Sequence, residues 1–197
     1  MLNADLAAAL SFVKVFLKNP AQVGALTPSS RALASRMVHN LDLKAGETIL
    51  ELGPGTGSVT RLIKDVIPAE SIYLGIEREP KFVKLLDKRF PDMQFVTGNA
   101  EHAEKHCHDA NCPPAKAIIS GLPFSSLPSQ VRAGIIDSID HLMTPGSIFR
   151  TFQYVHAYPL PSAIKFRNQM CNRFGSHHRS KAVLKNLPPA YILTWRR

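Results

Sequence analysis

Apolar residues recur at helix and strand spacings along most of the 197-residue chain. Over residues 5–18, Leu6, Ala9, Leu10, Val13, Phe16 and Leu17 share one face at a period of 3.6, with Ser11, Lys14 and Lys18 opposite. Asn19-Pro20 ends this helix, because the residue before a proline is pushed out of helical geometry. Residues 23–30 read as a loop containing Gly24 and Pro28. Ser29 or Ser30 can then cap a helix carrying Leu33, Met37 and Val38. A short apolar strand at 48–52 runs into the glycine turn 53–57, followed by a helix with Val59, Leu62, Ile63, Val66 and Ile67 on one face. Strand 71–76 ends at Glu77, and Phe82, Val83, Leu85 and Leu86 mark the next helix. Strands follow at 93–96 and 117–119, then a helix with Val131, Ile135, Ile136, Ile139 and Leu142, then a fifth strand at 146–155. Residues 182–195 are expected to form a closing hairpin or edge strands. Strands alternating with helices predict an α/β fold with a mostly parallel sheet.

Composition changes this picture little, but charge changes it more. Apolar residues at 45% and charged residues at 20% are ordinary for a globular domain. No apolar run reaches the ~18 residues of a membrane span. No segment has the basic, apolar and small-residue order of an export signal, so a cytoplasmic chain is expected. Cys107, Cys112 and Cys171 do not make a disulfide framework. The net charge of +9 is unevenly placed. Residues 141–197 hold nine Lys and Arg and no Asp or Glu, whereas residues 41–140 are slightly acidic. Two basic ends suggest a polyanionic partner, either nucleic acid or an anionic membrane surface; a basic surface kept for solubility reads equally well.

The sharpest local signal is Glu51-Leu-Gly-Pro-Gly-Thr-Gly57, which follows a strand and opens a helix. Gly53, Gly55 and Gly57 let the backbone turn tightly and approach a ligand with no Cβ in the way. Glu77, at the end of the next strand, can accept both hydroxyls of a ribose. The glycines are each two apart, which is not the G-x-G-x-x-G dinucleotide spacing, so a nucleoside without a pyrophosphate is favoured. This turn resembles motif I of class I S-adenosylmethionine-dependent methyltransferases. The resemblance implies a Rossmann-like sheet with an antiparallel C-terminal edge, preceded by the amphipathic helix. It also implies S-adenosylmethionine as cofactor, with Glu51, Gly53, Gly55, Gly57, Glu77, Arg78, Asn99, Ala100, Ser120, Gly121 and Leu122 around it. Asn99 stands where that family usually has Asp; an amide oxygen can still accept a bond from the adenine amine.

The methyl acceptor is read from Ser120-Gly-Leu-Pro-Phe124. Adenine N6-methyltransferases carry Asn or Asp before such a Leu-Pro-Phe, to accept a bond from the base amine. Here that position is Gly121, which argues against a nucleic-acid substrate. The segments 19–30, 51–57, 119–123 and 152–153, with Asn186-Leu-Pro-Pro-Ala190 and 195–197, resemble the small soluble bacterial phospholipid N-methyltransferases. That resemblance implies successive N-methylation of phosphatidylethanolamine, toward phosphatidylcholine, by a protein held peripherally at the inner face of the cytoplasmic membrane. Ornithine-lipid N-methyltransferases and adenine methyltransferases are the alternatives. Residues 1–40 are then a helix-and-lid segment and 41–197 the methyltransferase domain; oligomeric state is left open. The helix over 5–18 either lies in a membrane interface or packs on the sheet.

An ethanolamine ammonium has a pKa near ~10 in water, so a proton must leave before methyl transfer. Tyr154, His156 and Tyr158 are the candidates to hold or deprotonate the headgroup. Phe124, Tyr158 and Trp195 could face a quaternary product. Arg150, Lys165 and Arg167 are candidates for a lipid phosphate, Arg167 foremost for its bidentate fork. His102, His106, Cys107, His108 and Cys112 crowd one stretch but have no partner pair elsewhere. They are read as a polar loop, and no metal is expected.

Overall fold

A computed structural model describes residues 29–197 of the chain. The helix expected over 5–18 and most of the loop at 23–30 lie outside the described residues. The first described helix, Arg31–Val38, starts where Ser30 accepts the Leu33 N–H at 3.2 Å. Its Leu33, Ala34, Met37 and Val38 are buried against the sheet. The boundary expected at residue 40 therefore falls just after a helix that belongs to the sheet's own core.

Seven strands form one sheet in the order β3-β2-β1-β4-β5-β7-β6. They are β1 (Thr48–Leu52), β2 (Ile72–Glu77), β3 (Gln94–Thr97), β4 (Ala115–Ser120), β5 (Met143–Tyr154), β6 (His178–Arg179) and β7 (Ala190–Arg196). The first five run parallel, and β7 runs antiparallel to both β5 and β6. All five residues of β1 are buried, as a central parallel strand covered on both faces requires. Helices Ser58–Val66, Pro80–Arg89, Ala103–Asp109 and Ser129–Leu142 make the crossovers. Helix Pro161–Phe174 covers the antiparallel side.

Two hydrophobic layers sandwich the sheet. One joins Leu50, Leu74, Ile118, Ile135, Phe149 and Trp195 to the helices after β3, β4 and β5. The other joins Ile49, Tyr73, Ile119, Phe152 and Ile192 to helices Arg31–Val38 and Ser58–Val66.

Three details depart from expectation. The His/Cys stretch is a short turn, Ala100–His102, and a helix, Ala103–Asp109, not a loop. Ala100, Ala103 and Cys107 recur at helical spacing and bury one face, which leaves His102 and His108 outside. Second, the antiparallel C-terminal edge is present as expected, but its outermost strand is β6, only two residues long and earlier than residue 182, which leaves β7 inside it. Third, β5 begins earlier, at Met143, with a register shift against β4.

Candidate functional site

Strand order reverses at β1, which pairs with β2 on one side and β4 on the other. Ligands of open α/β sheets bind at the carboxyl ends of the strands beside such a reversal. Here each ladder is extended by one bond into the turn beyond it. Gly53 N–H donates to Ile76 O, Gly98 N–H to Glu77 O and Gly121 N–H to Leu52 O, each at 2.9 Å. The turns after β1, β2, β3 and β4 are thereby held edge to edge, and Gly53, Glu77, Asn99 and Ser120 meet at one rim.

The three glycines of the first turn have different reasons to be glycine, although all have positive φ. A Cβ on Gly53 would sit 2.7 Å from the Leu122 side chain, and one on Gly57 would sit 2.6 Å from the Phe90 ring. Those two residues are demanded by packing, and Gly57 meets the helix after β2 rather than a ligand. A Cβ on Gly55 would meet nothing within 4 Å. Gly55 therefore opens on free space, as a ligand cradle requires. Arg89 clasps this turn, donating to Thr56 O at 2.7 Å. Thirty-three residues separate the two, so no local pattern discloses the contact.

The Glu77 carboxylate accepts the Gly55 N–H and the Glu79 N–H, both at 2.9 Å. Burial raises its pKa, while these backbone donors work in the opposite direction. It is thus an oriented acceptor on the rim of the Gly55 space. Asn99 bonds the Glu101 carboxylate through its amide nitrogen at 2.5 Å, and its oxygen accepts the Glu101 N–H at 3.4 Å. Arg78 is exposed beyond β2, and Ala100 is buried under the third turn. Ser120 is fully buried; its Oγ accepts the Leu122 N–H at 3.2 Å.

Two residues of the expected cofactor set have structural roles. Glu51 is tied into the protein: its Oε2 accepts Tyr73 Oη–H at 2.6 Å and Thr60 Oγ1–H at 2.8 Å. Burial pushes its pKa up to about 7 despite these donors, with the nearby Glu77 adding to the rise. Glu51 joins β1, β2 and the following helix and so positions the turn. Gly121 has no room for a side chain: a Cβ there would lie 2.8 Å from Gly53 O. Its lack of a side chain lets the β1 and β4 turns touch.

On the acceptor side, the structure separates residues grouped by sequence. Tyr154 stacks on the exposed His156 with centroids 5.6 Å apart, and Tyr154 packs against the layer of helix Arg31–Val38. Burial raises the Tyr154 pKa. Tyr158 packs on the opposite layer, the one that also takes Leu122. Arg167 lies 3.8 Å over the Tyr158 ring, and its Nη1 donates to Gln153 Oε1 and Tyr158 O. Lys165 is exposed on the same helix.

Arg150 is corrected as a phosphate ligand. It is buried and donates to Thr194 Oγ1, Met37 O and His39 O, so it anchors the first described helix to the sheet. Burial brings its pKa down to about 10. Phe124 and Trp195 are core residues: Phe124 stacks on Phe166 at 4.3 Å, and Trp195 is fully buried beside Phe149. Neither is placed to face a cation. The basic C-terminal stretch is also less uncompensated than its sequence implies. Arg173 pairs with Asp137 and Arg197 with Asp140, both acids of helix Ser129–Leu142. Among the described residues, no three His, Cys, Asp or Glu side chains gather as a metal-holding group.

Comparison with known proteins agrees with this geometry. Residues 8–101 match the family model of protein-L-isoaspartate(D-aspartate) O-methyltransferase. The ornithine lipid N-methyltransferase of Singulisphaera acidiphila is 27% identical over 141 residues, covering 70% of this chain and 73% of that protein. The ribosomal RNA small subunit methyltransferase A of Chlorobium phaeobacteroides is 27% identical over 71 residues, which is 36% of this chain and 25% of that protein. Aeropyrum pernix fibrillarin, solved with S-adenosyl-L-methionine bound, superposes with a TM-score of 0.60 at 15% identity, covering 96% of this chain and 73% of that one. The fold is the mixed α/β, Rossmann-like methyltransferase fold. By fold and motif together the chain is similar to the class I S-adenosylmethionine-dependent methyltransferases. The residues present fit that cofactor: Gly55 leaves the space and Glu77 supplies an oriented ribose acceptor.

Proposed function

We propose that the chain N-methylates the amine of a membrane amino-lipid, working as a peripheral protein on an anionic bilayer surface at the cytoplasmic face. Phosphatidylethanolamine is the acceptor indicated by the sequence motifs. The observation that carries the reading is the state of the Leu-Pro-Phe motif after β4. Phe124, the ring that would stack on a flipped base, is buried against Phe166, and Gly121 has no acceptor for a base amine. Both features that would recognise adenine are absent from this position, although ribosomal RNA methyltransferases are among the relatives.

S-adenosylmethionine, held in the Gly55 space by Glu77, would supply a sulfonium methyl for transfer to the neutral amine. The chain's own part is to hold the nitrogen neutral and in line. Of the three candidates for the headgroup, Tyr158 shares a layer with Leu122 and so stands on the side of the strand-four turn. Among the described residues no helix is long and apolar enough to cross a membrane. Exposed Leu160 and Ile164 next to Lys165 suit shallow contact with anionic lipid.

An ornithine lipid is the second reading, favoured by the relative from Singulisphaera acidiphila. The test is labelled S-adenosylmethionine offered with vesicles of phosphatidylethanolamine, vesicles of ornithine lipid, and ribosomal RNA. Label in a lipid supports the proposal and names the acceptor. Label only in RNA overturns it.

A further inference from the structure

We infer that Arg167 and Arg179 form an oxyanion site, completed by the Gln153 amide, that takes the phosphodiester or carboxylate of a zwitterionic amino-lipid headgroup. The identification of that ligand as a lipid rests on the proposed function; the anion site itself rests on the residues below.

Both guanidiniums are held by the same aromatic pair. Arg167 lies 3.8 Å from the Tyr158 centroid; Arg179 lies 5.1 Å from Tyr158 and 4.6 Å from Tyr191. The two tyrosines meet edge to face at 5.1 Å. Neither arginine has a carboxylate within ion-pair distance among the described residues, whereas Arg173 and Arg197 both do. Two cations held on one aromatic pair repel each other, and ring faces offset only part of that cost. His177 reports the same excess from the other side: burial lowers its pKa, and Arg167, Arg179 and His178 lower it further.

Gln153 supplies the independent sign of a ligand. Its side chain is buried, its Oε1 accepts from Arg167 at 2.8 Å, and its Nε2 has no partner. A buried amide N–H left unmade costs roughly 1–3 kcal/mol, so such donors normally have a partner. The Arg167 bond also fixes the amide orientation, since a flipped amide would set donor against donor. An acceptor oxygen arriving at this cluster would meet two guanidiniums and one free amide donor.

The place suits a headgroup. Thr151 Oγ1 bonds Ser120 O at 3.0 Å, which sets the level of β5 against the strand-four turn. Gln153 lies two residues farther toward the carboxyl end, on the same face, opposite Tyr191 of β7. The oxyanion site is thus beside the turn where the amine must approach. Phosphatidylethanolamine and ornithine lipids both carry an oxyanion a few bonds from a primary amine. One site can thereby orient either acceptor by its negative end. Arg179 is exposed on the edge strand β6, so the site is approached from solvent at Arg179, with the Gln153 amide buried behind the surface.

The test uses the full chain saturated with S-adenosylhomocysteine. Dihexanoyl phosphatidylethanolamine, a short-chain ornithine lipid and decylamine are titrated calorimetrically, and inorganic phosphate is followed by phosphorus NMR. Arg179→Gln is expected to weaken either zwitterionic lipid about tenfold or more, as loss of a charge-assisted bond does. It should leave S-adenosylhomocysteine affinity and decylamine binding unchanged. Arg179→Lys should restore part of the loss. Arg167→Lys, which keeps the charge but not the fork, serves as the second variant and should raise KM more than it lowers kcat. Lipid bound more tightly than inorganic phosphate assigns the site to a headgroup; equal affinity assigns it to free phosphate. If phosphate binds wild type and not Arg179→Gln while no lipid is methylated, the anion site stands and the proposed function fails. If lipid is methylated but both variants bind lipid and phosphate like wild type, this inference is wrong and the proposed function survives.

Discussion

The backbone N–H of Ser30 donates to Oδ1 of Asn186 at 2.9 Å, across 156 residues of sequence. Asn186 is buried, and its Nδ2 donates to Pro188 O at 2.7 Å. One side chain thus ties the residue that caps the first described helix to the loop before β7. Two segments that carry the resemblance to phospholipid N-methyltransferases, the loop ending at Ser30 and Asn186-Leu-Pro-Pro-Ala190, meet at this bond. Removing the amide leaves the half-buried Ser30 donor unmade. Asn186→Ala is expected to cost about 1–3 kcal/mol of stability by urea denaturation, and Asn186→Asp, which keeps an acceptor, should cost less. Equal stability of Asn186→Ala and wild type would show that the tie contributes nothing.

Glu77 and Gly55 are expected to decide cofactor binding. Glu77→Ala removes the carboxylate that faces the Gly55 space and should cost about 1.5–3 kcal/mol in S-adenosylhomocysteine affinity, the range for charge-assisted bonds. Gly55→Val should abolish binding, because its side chain would fill space now open at positive φ. Calorimetry reads both; wild-type affinity in either variant refutes the site.

Glu51 should make stability fall with rising pH. Its folded pKa of about 7 lies above the ordinary value of 4.5. The folded state therefore holds a proton that the unfolded state has lost. That contribution is complete below about pH 4.5 and disappears as pH rises through about 7. Over this window the difference is about 3 kcal/mol at most. Glu51→Gln keeps an acceptor for Tyr73 and Thr60 and removes the titration. Subtracting its stability curve from that of wild type should give a decline between pH 4.5 and 7. A flat difference would contradict the burial argument.

Gly121→Asn tests why the base acceptor is missing. Its Cβ would press on Gly53 O at 2.8 Å, so the β1 and β4 turns would have to part. The variant should lose stability and S-adenosylhomocysteine affinity together and gain no activity on ribosomal RNA. RNA methylation by this variant would show that the acceptor alone divides the two activities.

Membrane association should depend on both charge and the N-terminal segment. Sedimentation with anionic vesicles should decrease as salt rises, since attraction between exposed charges is screened beyond ~8 Å at physiological ionic strength. Phe16→Asp should release the protein from vesicles while leaving its melting temperature unchanged. Unfolding of that variant would instead place the segment in the core.

Much of the fold was legible in the sequence because local patterns carry it. Alternating strand and helix periods disclose the parallel sheet, and Gly53, Gly55 and Gly57 with Glu77 disclose the rim at the carboxyl ends of β1 and β2, since turn geometry and strand ends are set by residues close in sequence. Tertiary structure alone decided which glycine of that turn is free of packing: Gly53 and Gly57 meet Leu122 and Phe90, and of the three Gly55 opens on space. It also turned Glu51 inward to Tyr73 and buried Arg150 on carbonyls more than 100 residues away. Phe124 and Trp195 went into the core for the same reason: an aromatic's side of the sheet depends on register and on which helix covers it. Charge counting fails similarly. Whether an arginine is free depends on acids brought beside it by folding, which neutralise Arg173 and Arg197 but leave Arg167 and Arg179 on tyrosine rings.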